Sequence, residues 1–248
     1  MKSLLKPMIL SCMILGGICA WADDVPVAPI SSTPLAEWGE VYEISSKKVS
    51  LIVSPEVGAV VSMRQSGMGE HLLSPLRIQA MPRTFEEKPW ESRAWRTSAG
   101  KQVVMLHRNM GEPFNLRVVH VIELSAAGDH YRQTTRITGL APGAEEFLAP
   151  SIETTLRIPD EEKTSDPAGV QLAYGPTVTR WNFHWEIELP EDALDAEIQL
   201  KKVDDHLLLA SLPGEALNLP PQGWTILSSL DIFWSTKTQI PPANDLEN

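Results

Sequence analysis

Residues 49–73 read VSLIVSPEVGAVVSMRQSGMGEHLL, and this stretch decides the fold class. It opens with an apolar, β-branched run and reaches a Pro-Glu-Val-Gly turn at 55–58. A second apolar run follows at 59–64, and Gly67-Met68-Gly69 turns the chain again. Two such runs joined by a short turn are typical of an antiparallel β-hairpin. The stretch therefore predicts paired strands rather than a helix.

Strand-like runs and turns continue to alternate along the rest of the chain. Further strands are predicted at 101–108, 115–124, 130–138, 151–158, 179–189, 196–203, 206–211 and 223–234. Residues 77–93 are less regular and predict a long surface excursion, and residues 159–169 predict an acidic loop. No long segment has the 3.6-residue period of a helix. The sequence therefore predicts an all-β fold, an antiparallel β-sandwich.

Length and composition fit one globular domain. The 248 residues are 43% hydrophobic and 21% charged, which is ordinary for a globular protein. We predict a signal peptide at 1–22, an extended linker at 23–39, a single β-sandwich domain at 40–240 and a flexible tail at 241–248.

The first 22 residues have the three parts of a secretory signal. Lys2 and Lys6 make a positive start, residues 7–21 are largely apolar, and Ala20-Trp21-Ala22 matches a small-x-small cleavage site. The apolar run is too short to cross a bilayer as a helix. The segment predicts a periplasmic or secreted protein cleaved after Ala22; a buried N-terminal helix is the alternative.

Both cysteines of the chain, Cys12 and Cys19, lie in this segment. Acylation of either one would make the protein a lipoprotein, although Ile18 is bulky for the residue before a lipidated Cys19. After cleavage at Ala22 the mature chain would contain no thiol. It could then be exported without forming a disulfide.

The charge of the chain excludes some partners. Cleavage would remove two lysines and no acids, which takes the formal net charge from −11 to −13. Strong acidity argues against a nucleic-acid partner, because phosphates would be repelled. No later apolar run is long enough to span a membrane. The sequence contains no GxSxG, P-loop or GxGxxG motif, and no cofactor is predicted.

Residues 49–73 resemble the opening of galactose-mutarotase-like proteins, the aldose 1-epimerase superfamily. In that family a strand ending in a Pro/Gly turn leads to a second strand near the sheet's concave face. The later order is similar too: Trp95 with Gly100 before a strand, a long hairpin over 116–138, and Leu148-Ala149-Pro150-Ser151 before another strand. The resemblance covers about residues 40–155. It implies a β-supersandwich with a carbohydrate-sized groove. Together with the predicted signal peptide, it leads us to predict an exported protein that acts on or binds a sugar without a cofactor.

Two positions depart from the family pattern. The family carries Gly-Gly-Arg at the second strand, where this chain has Gly58-Ala59-Val60. The family's mid-chain histidine falls where this chain has Pro150-Ser151-Ile152-Glu153. Two functions therefore stay open: a cofactor-independent sugar epimerase or mutarotase-like isomerase, and a non-catalytic binding or structural module of the cell envelope.

The run WNFHWE at 181–186 is the most informative about function. Side chains alternate between the two faces of a strand, so its three rings share one face. Trp181 and Trp185 are therefore candidate substrate-binding residues that could stack on sugar rings, or they could belong to the core of the sandwich. The other face carries three polar side chains: Asn182, His184 and Glu186.

On this polar face, His184 and Glu186 are the candidate catalytic pair. Two residues apart on one face, they could act as acid and base on a sugar hydroxyl. Glu153 is an alternative base, and Asn182 is a candidate for binding the substrate. The alternative is an ordinary solvated strand face without chemistry.

Arg93 and Trp95 are two further candidate substrate-binding residues, in or beside the irregular segment. Exposed tryptophan and arginine on a loop can grip a polar ligand, whereas a loop packed on the sheet end is the alternative. Six arginines between 77 and 117 could bind a carboxylated or sulfated sugar, or could pair with surface acids. The histidines lack metal-binding spacing, so no metal site is predicted. The expected partner is a carbohydrate or another small polar ligand, with an envelope protein as a further possibility.

Overall fold

The computed structural model describes residues 25–66, 70–71, 77–78, 90–110, 116–140, 152–157, 163–166, 169–174, 177–188, 198–203, 206–211, 223 and 225–238. Within these ranges the chain forms eighteen β-strands and no helix. The predicted signal peptide and the predicted C-terminal tail lie outside the described residues. In the part of the chain that is described, no helix is long and apolar enough to cross a membrane.

The strands are numbered in their order along the chain. They are β1 Pro26–Pro29, β2 Thr33–Leu35, β3 Gly39–Ser45, β4 Val49–Ser54, β5 Ala59–Gln65, β6 Glu70–His71, β7 Arg77–Ile78, β8 Glu91–Thr97 and β9 Gln102–Met110. The second half comprises β10 Leu116–Leu124, β11 His130–Gly139, β12 Ile152–Arg157, β13 Lys163–Asp166, β14 Gly169–Tyr174, β15 Thr177–Glu188, β16 Ile198–Val203, β17 His206–Ser211 and β18 Thr225–Thr238.

These strands form three antiparallel sheets. A nine-stranded sheet has the order β1-β8-β9-β10-β11-β18-β15-β14-β13, and a five-stranded sheet has the order β2-β3-β4-β5-β6. A four-stranded sheet has the order β16-β17-β12-β7. The predicted all-β, antiparallel fold class is therefore confirmed, and the central pairing of β15 with β18 joins strands far apart in the sequence.

The core lies between the nine-stranded and five-stranded sheets. On β4 and β10 every second residue is buried, and the most buried aliphatic side chains of the core include Leu51, Met63, Leu106, Ile122 and Ile137. Burying one such side chain contributes about 1.5–3 kcal/mol, so these inner faces hold the two sheets together. Hydrogen bonds also join the two sheets. The side-chain amide of Gln102 accepts from the backbone N–H of Ser45 and donates to its carbonyl oxygen.

Three segments have more regular structure than the sequence predicted. Residues 91–93, the end of the expected surface excursion, form β8 together with residues 94–97, so Arg93 and Trp95 lie on a strand and not on a loop. Residues 26–29 and 33–35 of the expected linker pair as strands at two sheet edges, where proline is tolerated because it need not donate a hydrogen bond. Residues 163–166 of the expected acidic loop form β13.

Candidate functional site

One face of the nine-stranded sheet covers the core. The opposite face, which we call the polar face, carries partly exposed polar side chains of β11, β15 and β18, together with the buried Val103 and Val119. Residues directly opposite each other on antiparallel strands share a face. In one row across the sheet, His184 lies opposite Asp231, Asp231 opposite Arg132, and Arg132 opposite Glu123. The sheet register therefore brings four ionisable side chains onto the polar face.

The next row adds a second predicted residue. Glu186 lies opposite Ser229, and Ser229 lies opposite Thr134. Along each strand, the residue in this row lies two positions from the residue in the first row, so both rows belong to the polar face. His184 and Glu186 thus share a face, as the sequence predicted, and that face is the one turned away from the core.

Asp231 is the centre of a hydrogen-bonded cluster on the polar face. Its side chain is only 5% exposed, and its Oδ1 lies 2.5 Å from Nε2 of His130. Arg132 donates from Nε to Oδ1 over 2.7 Å and from Nη2 to Oδ2 over 3.2 Å. This two-pronged contact matches a planar guanidinium to a planar carboxylate. The three residues, His130, Arg132 and Asp231, are called the Asp231 cluster below.

The cluster sets the charge of its members. Burial alone would raise the pKa of Asp231, but the hydrogen bonds from His130 and Arg132 and their positive charges together lower it below its ordinary value. The hydrogen bond with Asp231 in turn raises the pKa of Arg132, and the charges of Glu123 and Glu186 act in the same direction. Asp231 and Arg132 are therefore a fixed ion pair at neutral pH.

An exposed aromatic ring adjoins the cluster. The ring of Phe233 stacks on the imidazole of His130, with centroids 4.2 Å apart and planes inclined by 5°. Phe233 is 42% exposed and lies opposite Asn182 on β15. A flat apolar surface therefore stands beside charged and hydrogen-bonding groups.

His184 and Glu186 form an exposed pair next to this cluster. Nε2 of His184 lies 2.9 Å from Oε1 of Glu186, and the two side chains are 60% and 68% exposed. A histidine and a carboxylate in contact can pass a proton between them and a bound hydroxyl. Asn182, on the same face, accepts a hydrogen bond from Nε of Arg180 at 2.9 Å.

The structure separates the remaining predicted residues from this pair. Arg93 and Trp95 also lie on the polar face, because Trp95 is opposite Val103 and Val103 is opposite Glu123. Their strand, β8, is five strand spacings from β15, roughly 24 Å along the sheet. They therefore share the face of His184 without adjoining it.

The core position of Trp181 excludes the substrate-binding role that its ring was given. Trp181 is 1% exposed, and its indole is enclosed between the two sheets. A sugar could stack on this ring only if the sheets separated. Trp181 is therefore a residue of the sandwich core, which was the alternative role. Trp185 lies opposite Leu230, and its side chain is outside the described part.

Glu153, the alternative base, lies in a different sheet. It belongs to β12 and pairs with Ala210 and Arg77 in the four-stranded sheet. Its side chain is outside the described residues. Among the predicted residues whose side chains are described, only His184 and Glu186, with Asn182, adjoin the Asp231 cluster.

Sequence reasoning missed the Asp231 cluster and Phe233 as parts of a site. The available signal was Asp231 itself, a single acid within the apolar run LDIFW at 230–234. A buried carboxylate in a strand requires a partner, which points to a charge on a neighbouring strand. The partner strand could not be named from the sequence, because β11 and β18 are about a hundred residues apart. Across the described ranges, no group of three or more His, Cys, Asp or Glu side chains could hold a metal ion.

Comparison with known proteins shows a relationship in structure alone. No protein-family model matches the chain, and no curated protein matches it in sequence. YeaD from Salmonella typhimurium, a candidate mutarotase, superposes with a TM-score of 0.50 and 9% identity, over 83% of this chain and 94% of that one. The chain has a galactose-mutarotase-like fold. The predicted resemblance is thus confirmed for the architecture.

Two further solved structures are similar to the galactose-mutarotase-like fold seen here. Slr1438 from Synechocystis sp. PCC 6803 gives a TM-score of 0.46 and 12% identity, over 85% of this chain and 99% of that one. A candidate aldose 1-epimerase from Escherichia coli K12 gives 0.44 and 11%, over 79% and 98%.

Proposed function

We propose that this chain is an exported carbohydrate-binding protein of the aldose-epimerase-like class, with its ligand on the polar face beside Phe233. The observation that carries the proposal is the exposed Phe233 ring, stacked on His130 and surrounded by hydrogen-bonding side chains. A sugar ring has an apolar face and a rim of hydroxyls. It therefore suits a surface where an aromatic ring adjoins a few placed polar groups.

The polar groups beside Phe233 have different tasks. Asp231 and Arg132 already satisfy each other, so they form a rigid base for the site rather than its open contacts. His184 and Glu186 are exposed and can turn their remaining donors and acceptors to ligand hydroxyls.

A catalytic form of the protein would use His184 and Glu186 for mutarotation. Glu186 would take the proton of the anomeric hydroxyl while His184 donates one to the ring oxygen. The bond between C1 and that oxygen would break, giving the open-chain aldehyde. Reclosure on the other face of the carbonyl, with both protons returned, would give the second anomer. This step needs no cofactor and only an acid and a base in reach of one sugar.

The high exposure of His184 and Glu186 favours a second candidate, a non-catalytic module of the cell envelope. Acid–base catalysis gains from excluding water, and this pair lies open to it. Such a module would keep the ligand-binding face and lack the reaction. Its partner would be an envelope saccharide or an envelope protein.

Binding is tested by calorimetric titration with neutral, amino and uronic sugars and their oligomers. We expect one class to saturate, and Phe233→Ala to weaken its binding about tenfold or more, because the stacking surface is lost. Leu35→Ala is the matched control, since it removes an exposed apolar side chain from β2 in the other sheet. A flat response to the whole panel, or equal loss in both variants, would contradict the proposal.

Catalysis is tested separately by polarimetry on the sugar that binds. His184→Gln and Glu186→Gln should abolish the catalysed interconversion of anomers while leaving binding within a few-fold. If the unmodified protein binds the sugar and interconverts no anomers, the non-catalytic candidate stands.

Export is tested by expressing the full chain in a bacterium and sequencing the periplasmic product, which should begin at Asp23.

A further inference from the structure

Arg136 is a basic residue on the polar face for which the described part of the chain provides no partner. It lies on β11, four residues beyond Arg132, so both side chains emerge on the same face. Arg132 is held by Asp231, and Arg117 on β10 is held by Asn109. No described residue forms a hydrogen bond or an ion pair with Arg136.

The neighbours of Arg136 make this unpaired charge costly. Its cross-strand neighbours are apolar: Val119 on β10, which is buried, and Leu227 on β18, which is half-buried. The side chain of Arg136 is itself half-buried between them. A guanidinium that has lost part of its water and gained no counter-charge can recover that loss by binding an anion.

Hydroxyl groups border the same position along the strand. Thr134 and Thr138 precede and follow Arg136 on this face, and both are half-buried. Ser229, opposite Thr134, adds a third hydroxyl. These groups can bond the hydroxyls of a sugar whose acidic group meets Arg136.

We infer that Arg136 binds the carboxylate of an acidic oligosaccharide, which gives the ligand class of the proposed function on which this inference rests. A planar guanidinium matches a planar carboxylate with two parallel hydrogen bonds. One positive charge balances one carboxylate. A phosphate dianion would remain partly uncompensated beside Glu186 and Glu188 on β15, in a chain with a net charge of −11.

The spacing of the two contacts sets the length of the ligand. Phe233 is opposite His130, and His130 is six residues from Arg136 along β11. Six residues of extended strand span roughly 20 Å. A ligand that stacks on Phe233 and reaches Arg136 is therefore longer than one sugar ring. Such a ligand would be a chain of sugars running along β11.

The test compares one oligosaccharide in three chemical forms by calorimetry. The forms are an oligouronate, its carboxyl-reduced counterpart of equal length, and a sulfated oligosaccharide of the same length. We expect the unmodified protein to bind the oligouronate most tightly. Arg136→Gln should weaken oligouronate binding by roughly tenfold to a hundredfold, and should leave binding of the reduced form unchanged.

Control variants separate a specific contact from a general loss of charge or fold. Arg96→Gln removes an exposed arginine of β8 that alternates with Trp95 and so faces the other way; it should not alter oligouronate binding. Arg136→Lys keeps the charge without the planar fork and should recover only part of the affinity. Thermal melts of each variant report whether the fold is intact.

The outcomes distinguish the proposed sugar-binding function from the inference that Arg136 binds a carboxylate. Equal affinity of Arg136→Gln and the unmodified protein for the oligouronate would overturn the role of Arg136. Tighter binding of the sulfated form would overturn the inference that the ligand is a carboxylated sugar. Binding of the oligouronate that depends on Phe233 but not on Arg136 would keep the proposed function and reject this inference. Binding of none of the three forms would contradict both.

Discussion

The indole nitrogen of Trp181 donates a hydrogen bond to Oε1 of Gln65 across 3.1 Å, and this bond joins β15 of the nine-stranded sheet to β5 of the five-stranded sheet. A buried indole contributes a large apolar surface but needs an acceptor for its single donor. Gln65 provides that acceptor from within the core. The bond therefore helps to set which face of β15 turns inward, and so which face carries His184 and Glu186.

Replacing Gln65 with leucine should lower the free energy of unfolding by about 1–3 kcal/mol. The substitution leaves a buried N–H group without its acceptor, and such a group costs more than the bond itself contributes. Urea unfolding of the two proteins measures the difference. In a Trp181→Phe background the same change should cost clearly less, because the phenyl ring has no donor. An equal cost in both backgrounds would show that the bond is not responsible.

Gly58 should tolerate alanine far less well than Gly223 does. Both glycines have a positive φ, 74° and 76°, which costs an alanine about 1 kcal/mol in either place. At Gly58 a Cβ would also collide with the indole of Trp90, whereas no atom of the described residues lies near the Cβ position at Gly223. We expect Gly58→Ala to lose a further 1–3 kcal/mol or so from overpacking. Urea unfolding that gave equal losses would contradict the packing of Trp90 on this turn.

Stability should fall as the pH is lowered from 6.5 to 4, because of His120. Burial lowers its pKa in the folded state from 6.5 to about 4, while the ring bonds Thr135 through Nδ1 at 2.9 Å. Between these values the unfolded chain binds a proton that the folded chain does not, so stability is full above pH 6.5 and is lost toward pH 4. The loss from this one group is about 3 kcal/mol.

Urea unfolding at several pH values tests the role of His120. His120→Gln should be less stable than the unmodified protein at pH 7 and should show a flatter dependence on pH between 6.5 and 4. Two parallel curves would mean that another group controls the acid response. Asp231 acts in a lower pH range than His120. Because its pKa is lowered in the folded state, its contribution to the free energy of unfolding is lost only as the pH falls through that lowered value.

Asp231→Asn should lower the free energy of unfolding by about 2–3 kcal/mol. The change removes a charge-assisted, two-pronged contact and leaves Arg132 partly buried without a counter-charge. Glu186→Gln is the control, because its contact with His184 is exposed and should be worth about 0.5 kcal/mol or less. Chemical unfolding of both variants gives the comparison. Similar losses would show that the Asp231 cluster does not stabilise the sheet.

Much of the fold could be predicted from local pattern. The predicted strand at 206–211 has the observed bounds, and the strands at 101–108, 115–124 and 130–138 differ by one or two residues at their ends. β8 was missed because Glu91–Thr97 carries charged residues on both sides of the strand. Its two buried residues, Ala94 and Thr97, are small and lie three residues apart on opposite faces, so the strand lacks the apolar alternation that marks a half-buried strand.

The candidate site was predictable only in part. Contact between His184 and Glu186 follows from their spacing of two residues, a local property of any strand. The partners of Asp231 come from β11, about a hundred residues earlier in the chain. No pattern within β18 specifies that strand, because many antiparallel orders of the same strands satisfy the same local preferences.

The sequence by itself determined that this chain is made of antiparallel strands, where most of them begin and end, and that rings and polar groups alternate along 181–186. Only the tertiary structure decided which of those two faces is buried, since a period of two is symmetric until one face meets a partner sheet. Trp181 found that partner in Gln65 and became core. The pairing of β11 with β18 and β15 then placed Arg132, Asp231 and His184 in one row, because residues become cross-strand neighbours only when a non-local register sets them opposite each other.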